Sequence, residues 1–399
     1  MFNDLQTRTI QIFEKLVAFD TTSSKPNRAC IDYIRTYLEG FGIKSEIVAG
    51  GEAGKACLFA TIGSGLSGGV VLAGHTDTVP VVGQNWSSDP FTLTERDGKL
   101  YGRGSCDMKG FIACILAMVP ELVQAKLTQP IHLAFTHDEE SDMSGAVSLT
   151  DFMHKQGIEP EWVWIGEPTE HAIIDSHKGV AAFKTQITGV PAHSGKPDRG
   201  LSAIELGHDF ISILRAVADE KRGKPFAPSR FDPPYTTINL GTVQGGEAEN
   251  IIARNFDLIW QTRTHPGDDH DAMLADIERR AVASLAPRFQ AFTAQYPEVG
   301  CKTCACFNIP PLMPTANNRG QKLLAAHTGA TQTEAVSFAT EAGFFQKLGA
   351  AVVVCGPGSI DQAHKADEFV EISQLNSCVD LIRSVLLNSA PLHPRELTP

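Results

Sequence analysis

Four short runs rich in valine, isoleucine or tryptophan, Gly69 to Gly74, Ile131 to Thr136, Trp162 to Ile165 and Ala351 to Cys355, recur along the chain, bounded by glycine or charged turns. Runs of this length and composition read as strands. Helical periodicity lies between them at Gly110 to Lys126, Ser144 to Gln156 and Thr333 to Leu348, after two opening helices at Leu5 to Phe19 and Ala29 to Gly40. Strands alternating with helices predict an α/β layer built on a mixed, largely parallel sheet.

The texture changes in the middle. Val180 to Thr188 alternates like an exposed strand, Leu201 to Val217 reads as a helix, Thr236 to Val243 and Asn255 to Arg263 read as strands, and Asp268 to Leu285 as a second helix. Two helices on one face of a small antiparallel sheet make an independent α+β unit of ferredoxin-like type. The expected organisation is a discontinuous α/β catalytic domain over 1–177 and 291–399, interrupted by an inserted domain over 178–290. A length of 399 residues with 42% hydrophobic content suits two cores better than one.

A net charge of -12 argues against nucleic acid or an anionic membrane as partner, leaving small molecules or a second copy of the chain. No stretch approaches the roughly 20 apolar residues of a membrane helix. The opening residues carry acids and read as an amphipathic helix, not a signal peptide, so the cytoplasm is the expected location. Nine scattered cysteines fit reduced thiols. Cys301, Cys304 and Cys306 form the one cluster; packing is its plainer reading and metal binding the alternative, since no second pair completes a tetrahedral set.

The chemistry lies at the strand ends, where residues of open α/β sheets face the ligand crevice. His75 and Asp77 follow the first run: the imidazole can meet a metal while Asp77 holds the other ring nitrogen, although a surface histidine beside a turn aspartate reads equally well. The loop Gly102 to Gly110 lacks the spacing of a phosphate loop, and its Asp107 either caps the following helix or bridges two ions. His137-Asp138-Glu139-Glu140 sets carboxylates side by side, which is costly unless water or a cation compensates them. Glu167 follows the third run, and His364 lies beyond the Cys355 to Ser359 loop after the fourth. Two divalent ions about 3.5–4 Å apart need such a set: a shared carboxylate, further N and O ligands, and a base. The serine in Gly65-Leu66-Ser67-Gly68-Gly69 has the letters of a nucleophile elbow but precedes its strand, which argues against serine catalysis.

In this order the segments GHTDTVP, GRGSCDMKG, HDEE, GEPT, GVPAHSGKP and GPGSIDQAHKADEF resemble the zinc-dependent peptidase and deacylase family that includes acetylornithine deacetylase, succinyl-diaminopimelate desuccinylase, aminoacylase and carboxypeptidases. The resemblance spans nearly the whole chain. It implies two divalent ions, Zn2+ with Co2+ able to substitute, held by His75, Asp107 and Glu167 on one side and by Asp107, Glu140 and His364 on the other, Asp107 bridging. Glu139 would be the general base, Asp77 would orient His75, and His193 of the inserted domain would complete an oxyanion site, often across a homodimer; the insert is then a dimerisation or lid domain. By the same resemblance Asn250, Arg263 and the Gly356 to Ser359 loop bind the substrate carboxylate, and Glu341 faces its free amine.

Within the family, TEAGFFQKLG followed by VVVCGPGSIDQAHKADEFVE points to removal of the acetyl group from N-acetyl-L-ornithine, giving L-ornithine and acetate in arginine synthesis. Acetylcitrulline or succinyl-diaminopimelate as substrate, and a non-catalytic amino-acid-binding relative, are the alternatives. Cys106 stands beside Asp107 where relatives carry various residues, and the segment 300–311 matches nothing in the family pattern.

Overall fold

The computed structural model describes residues 4–51 and 54–388; residues 1–3, 52–53 and 389–399, which include both outer ends of the expected catalytic domain, lie outside the described residues. Two compact units result: Met1–Ser176 with Leu312–Ala335 and Thr340–Pro399, and His177–Pro311 with Val336–Ala339. Among the described residues, no helix is long and apolar enough to cross a membrane.

At the centre of the first unit four parallel strands stand in the order Ile131–Thr136, Val70–His75, Trp162–Ile165, Ala351–Val354. Ala56–Ile62 and Ser45–Ala49 add antiparallel pairs on one side; on the other, Ile174–His177 pairs antiparallel with Ala351–Val354 and Glu334–Val336 lies beyond it. Alternate residues such as Leu72, Leu133, Trp164 and Val353 enter one core with helices Asp4–Val17, Arg28–Glu39, Lys109–Gln124 and Ile372–Arg383. Helix Ser144–Lys155 packs on the strands from the other face. Burial on both faces is why these strands read as unbroken apolar runs. Helix Lys109–Gln124 is buried continuously from Lys109 to Val119, as expected of a helix apolar all round; the Lys109 ammonium donates to the Phe19 carbonyl at 2.8 Å.

The expected helix over Thr333 to Leu348 is not formed. Glu334–Val336 is instead a strand at the sheet margin, with Glu334 N donating to Ile173 O at 2.9 Å, and only Ala342–Gln346 is helical. Backbone pairing at the sheet margin outweighs the helical periodicity of the segment.

The second unit is a four-stranded antiparallel sheet in the order Thr237–Gly245, Asn255–Thr264, Gly179–Thr188, Gly300–Ile309, with helices Ala203–Arg222 and His270–Gln290. Ser202 and Asp269 cap these helices by accepting from Glu205 N and Ala272 N. Phe183, Phe210, Leu214, Leu258, Trp260, Ile277 and Leu285 form the core, Phe183 stacking on Trp260 at 4.4 Å between ring centroids. Gly179–Thr188, expected as an exposed strand, is interior, with Val180 to Phe183 buried, because Gly300–Ile309 pairs along its other side. That pairing carries the unit past residue 290 to Pro311. Cys301 stands opposite Ile187 and Cys304 opposite Lys184; three residues apart on a strand, they face opposite sides, so the cluster gathers no metal set.

Candidate active site

Parallel strands share a direction, so their carboxyl ends meet along one edge. His75 pairs with Thr136, and Ile165 stands beside both Ala73 and Val354. The residues that follow, Asp77, His137 to Glu140, Glu167 and the Gly356 to Ser359 loop, therefore leave the sheet together.

Asp107, at the start of the buried helix, reaches this edge and faces two imidazoles. Its Oδ1 lies 2.9 Å from His75 Nε2, and its Oδ2 lies 3.4 Å from His364 Nε2. His364 Nε2 is also 2.9 Å from Glu140 Oε2, and His75 Nε2 is 4.0 Å from Glu167 Oε1. Asp107 thus stands between two imidazoles that lie 289 residues apart in the sequence.

The electrostatics follow from crowding. Burial, and after it the Asp107 charge, pushes Glu140 up to about 7 and Glu167 well above the usual carboxylate range. Burial and then Glu167 push Glu139 up as well. For Asp107 burial is outweighed by hydrogen bonds from His364 and His75, which hold it well below that range. His364 is pushed up to about 10 by its hydrogen bonds to Asp107 and Glu140. For His75, burial opposes the proton but the hydrogen bonds to Asp107 and Asp77 win.

These residues fit a metal. One ligand atom each from His75, Asp107 and Glu140 lie within 4.8 Å of one another, and so do those of His75, Glu139 and Glu167. Glu167 Oε1 is buried with no hydrogen-bond partner, a costly state that a cation would relieve. Imidazole and carboxylate together suit zinc and its first-row neighbours.

Asp77 has two sets of partners. His75 Nδ1 bonds the Asp77 main-chain carbonyl at 3.0 Å and is 3.6 Å from its carboxylate. The carboxylate also accepts from Ser23 Oγ at 2.6 Å and from the Glu139 and Glu140 amides at 3.1 and 3.2 Å. Asp77 therefore fixes the turn carrying both glutamates. Lys55 adds to this by donating to Ser23 O and Asp138 Oδ1.

Gly166, next to Glu167, allows the close approach of Phe111: a Cβ there would sit 2.0 Å from the ring. Gly166→Ala is expected to cost roughly 1–3 kcal/mol or more through overpacking, read as a lower urea midpoint. An unchanged midpoint would mean that the ring can move aside.

Residues 71–388 match the family described as Peptidase family M20/M25/M40. The chain belongs to that family. It is therefore a hydrolase of the M20 group. Among curated relatives, the acetylornithine deacetylase of Pasteurella multocida (strain Pm70) is 35% identical over 94% of this chain and 97% of its own. That of Proteus mirabilis (strain HI4320) is 35% identical over 95% and 96%. In fold the chain is similar to the M20 family metallo-carboxypeptidase of Sulfolobus solfataricus, with TM-score 0.73, 16% identity and coverage of 96% and 99%. It is also similar to a dinuclear metal binding M20 peptidase of Bacillus subtilis, with TM-score 0.65, 17% identity and coverage of 96% and 98%.

The other residues singled out by the M20 resemblance divide between the two units. Glu341 is 1% exposed and its carboxylate has no charged partner; burial pushes it up to about 7, outweighing the nearby Thr136 hydroxyl, which lowers it. Gly356 is tied to the Glu167 loop: its N–H donates to Thr169 Oγ1 at 3.1 Å and its carbonyl accepts from His171 N at 3.0 Å. That N–H is thus already engaged within the protein. Ser359 bridges to Thr169. His193, Asn250 and Arg263 belong to the second unit. His193 is exposed and its Nδ1 accepts from Gly195 N at 3.0 Å, which leaves the ring proton of the neutral form on Nε2. Ser194 N donates to the Asn250 carbonyl at 3.0 Å, and Arg263 Nε to Gln261 Oε1 at 3.1 Å.

Sequence reading missed Glu368, Gln84, Ser23 and Lys55. Glu368 lies inside a quoted family segment, so its place was marked though its partners were not.

Proposed function

We propose that this hydrolase removes the acetyl group from N-acetyl-L-ornithine, using two divalent ions, zinc by preference with cobalt able to replace it. The observation that carries the reading is the Asp107 carboxylate with one oxygen facing each histidine. The two acetylornithine deacetylases similar to this chain over nearly its full length support the substrate. His75, Asp107 and Glu167 would hold one ion and Asp107, Glu140 and His364 the other.

The chemistry such ions supply is Lewis acidity at the scissile carbonyl and a more acidic water. Glu139 accepts a proton from the attacking water on its carboxylate and delivers it to the departing nitrogen. Asp77 keeps that carboxylate aimed by holding the Glu139 and Glu140 amides. His193 donates from Nε2 to the developing oxyanion. Arg263 and Asn250 take the substrate carboxylate, and a planar guanidinium suits that group. Glu341, buried and with no basic side chain paired to it, takes the side-chain ammonium of ornithine. On this reading the enzyme serves arginine synthesis in the cytoplasm, as a homodimer joined along an exposed strand edge of the second unit.

The test is a panel of N-acetyl-L-ornithine, N-acetyl-L-citrulline and N-succinyl-diaminopimelate with metal-replete protein. Acetylornithine is expected to lead in kcat/KM by roughly 10²-fold or more, because an uncharged ureido end leaves Glu341 buried and unpaired. Preference for either of the other two would overturn the substrate.

A further inference from the structure

Glu368 is buried, 1% exposed, yet among the described residues it belongs to neither candidate metal-ligand group. Its oxygens are fully engaged elsewhere. Oε1 accepts from the Cys106 and Asp107 amides at 2.8 and 3.1 Å, and Oε2 from Gly104 N at 3.2 Å and Arg103 Nη1 at 2.6 Å. One carboxylate thus fixes three backbone amides of the loop that delivers Asp107.

Arg103 continues the connection. It is 1% exposed, and its Nη2 donates to Gln84 Oε1, which also accepts from Trp86 Nε1 at 3.1 Å. Gln84 Nε2 then donates to the main-chain carbonyl of His364 at 2.9 Å. Beside this contact, Ser87 donates through N and Oγ to Asp367 Oδ1 at 2.8 and 2.9 Å. The restraint is needed because His364 and Asp367 have φ of 64° and 55°, a region uncommon for residues with a side chain and kept only where the surroundings impose it. The His364 side chain is itself 53% exposed, so packing alone does not fix it.

We propose that Gln84, Arg103 and Glu368 form a continuous brace that positions Asp107 and His364 as one unit, and so sets the affinity for the ion these two share with Glu140. This rests on the two-ion reading above. The three are positioning residues: Glu368 and Gln84 each hold a ligand's backbone, Arg103 joins them, and none touches the reacting atoms. Hydrogen-bonded supports of metal ligands typically contribute about 10- to 100-fold to metal affinity.

The test is titration of metal-stripped, full-length protein with Zn2+ by calorimetry and with Co2+ by visible absorption, for wild type, Gln84→Leu and Gln84→Glu. Gln84→Leu removes both links. Gln84→Glu keeps the shape and the acceptor for Arg103 but loses the donor to His364, so it remains informative if the first variant folds poorly. Both are expected to weaken one of two binding steps by about 10- to 100-fold and leave the other unchanged, with a matching change in only one set of cobalt bands. Two unchanged steps in both variants, or equal weakening of both steps, would overturn the brace. Fewer than two ions on wild type would overturn the two-ion reading itself, and the brace with it.

Discussion

Glu139→Gln is expected to lower kcat by roughly 10²- to 10⁴-fold, the usual contribution of a positioned acid or base, or about 3–5 kcal/mol of transition-state stabilisation. The metal content should stay at the wild-type value. The variant separates two roles that the geometry brings close together, because Glu139 also lies within ligand distance of His75 and Glu167. Its amide is anchored by Asp77, so the glutamine side chain starts from the same backbone position and removes only the capacity to take the proton. If turnover falls and one ion is lost as well, Glu139 is a ligand. If turnover persists, the proton goes elsewhere.

Dialysis against a chelator is expected to abolish activity, and Zn2+ or Co2+ to restore it. The physical reason is the cluster of Asp107, Glu139, Glu140 and Glu167, in which burial, and after it the like charges, raise three of the four above their ordinary range. Cations remove that repulsion. Restored metal should therefore also raise the melting temperature, since a ligand at a hundredfold excess over Kd adds about 2.7 kcal/mol per site. Undiminished activity after complete metal removal would refute metal-assisted hydrolysis. Recovery of activity without any thermal shift would mean that the ions bind without relieving the buried carboxylates.

The sheet core was legible because strands covered on both faces leave unbroken apolar runs, and the chemistry was legible because His75, Glu139, Glu140 and Glu167 each follow such a run directly. Gly300–Ile309 was missed because it is mostly exposed and reads as a mixture of Cys, Thr, Lys and Ala with no apolar face. The stretch 333–348 has helical spacing, but its first part is drawn into the sheet, an outcome set by partners distant in sequence. The role of Asp77 was half legible. Its nearness to His75 was plain, whereas its hold on the amides of Glu139 and Glu140 depends on contacts 62 and 63 residues away. Glu368 is harder still, because an acid that accepts from backbone N–H groups more than 260 residues off leaves no periodic trace.

Crystals of the zinc-loaded protein, measured at the zinc absorption edge, address the shared carboxylate directly. Two anomalous peaks about 3.5–4 Å apart are expected, one beside each oxygen of Asp107, with His75 on one and His364 on the other. A single peak, or two that leave Asp107 in contact with only one, would contradict a bridged pair of ions.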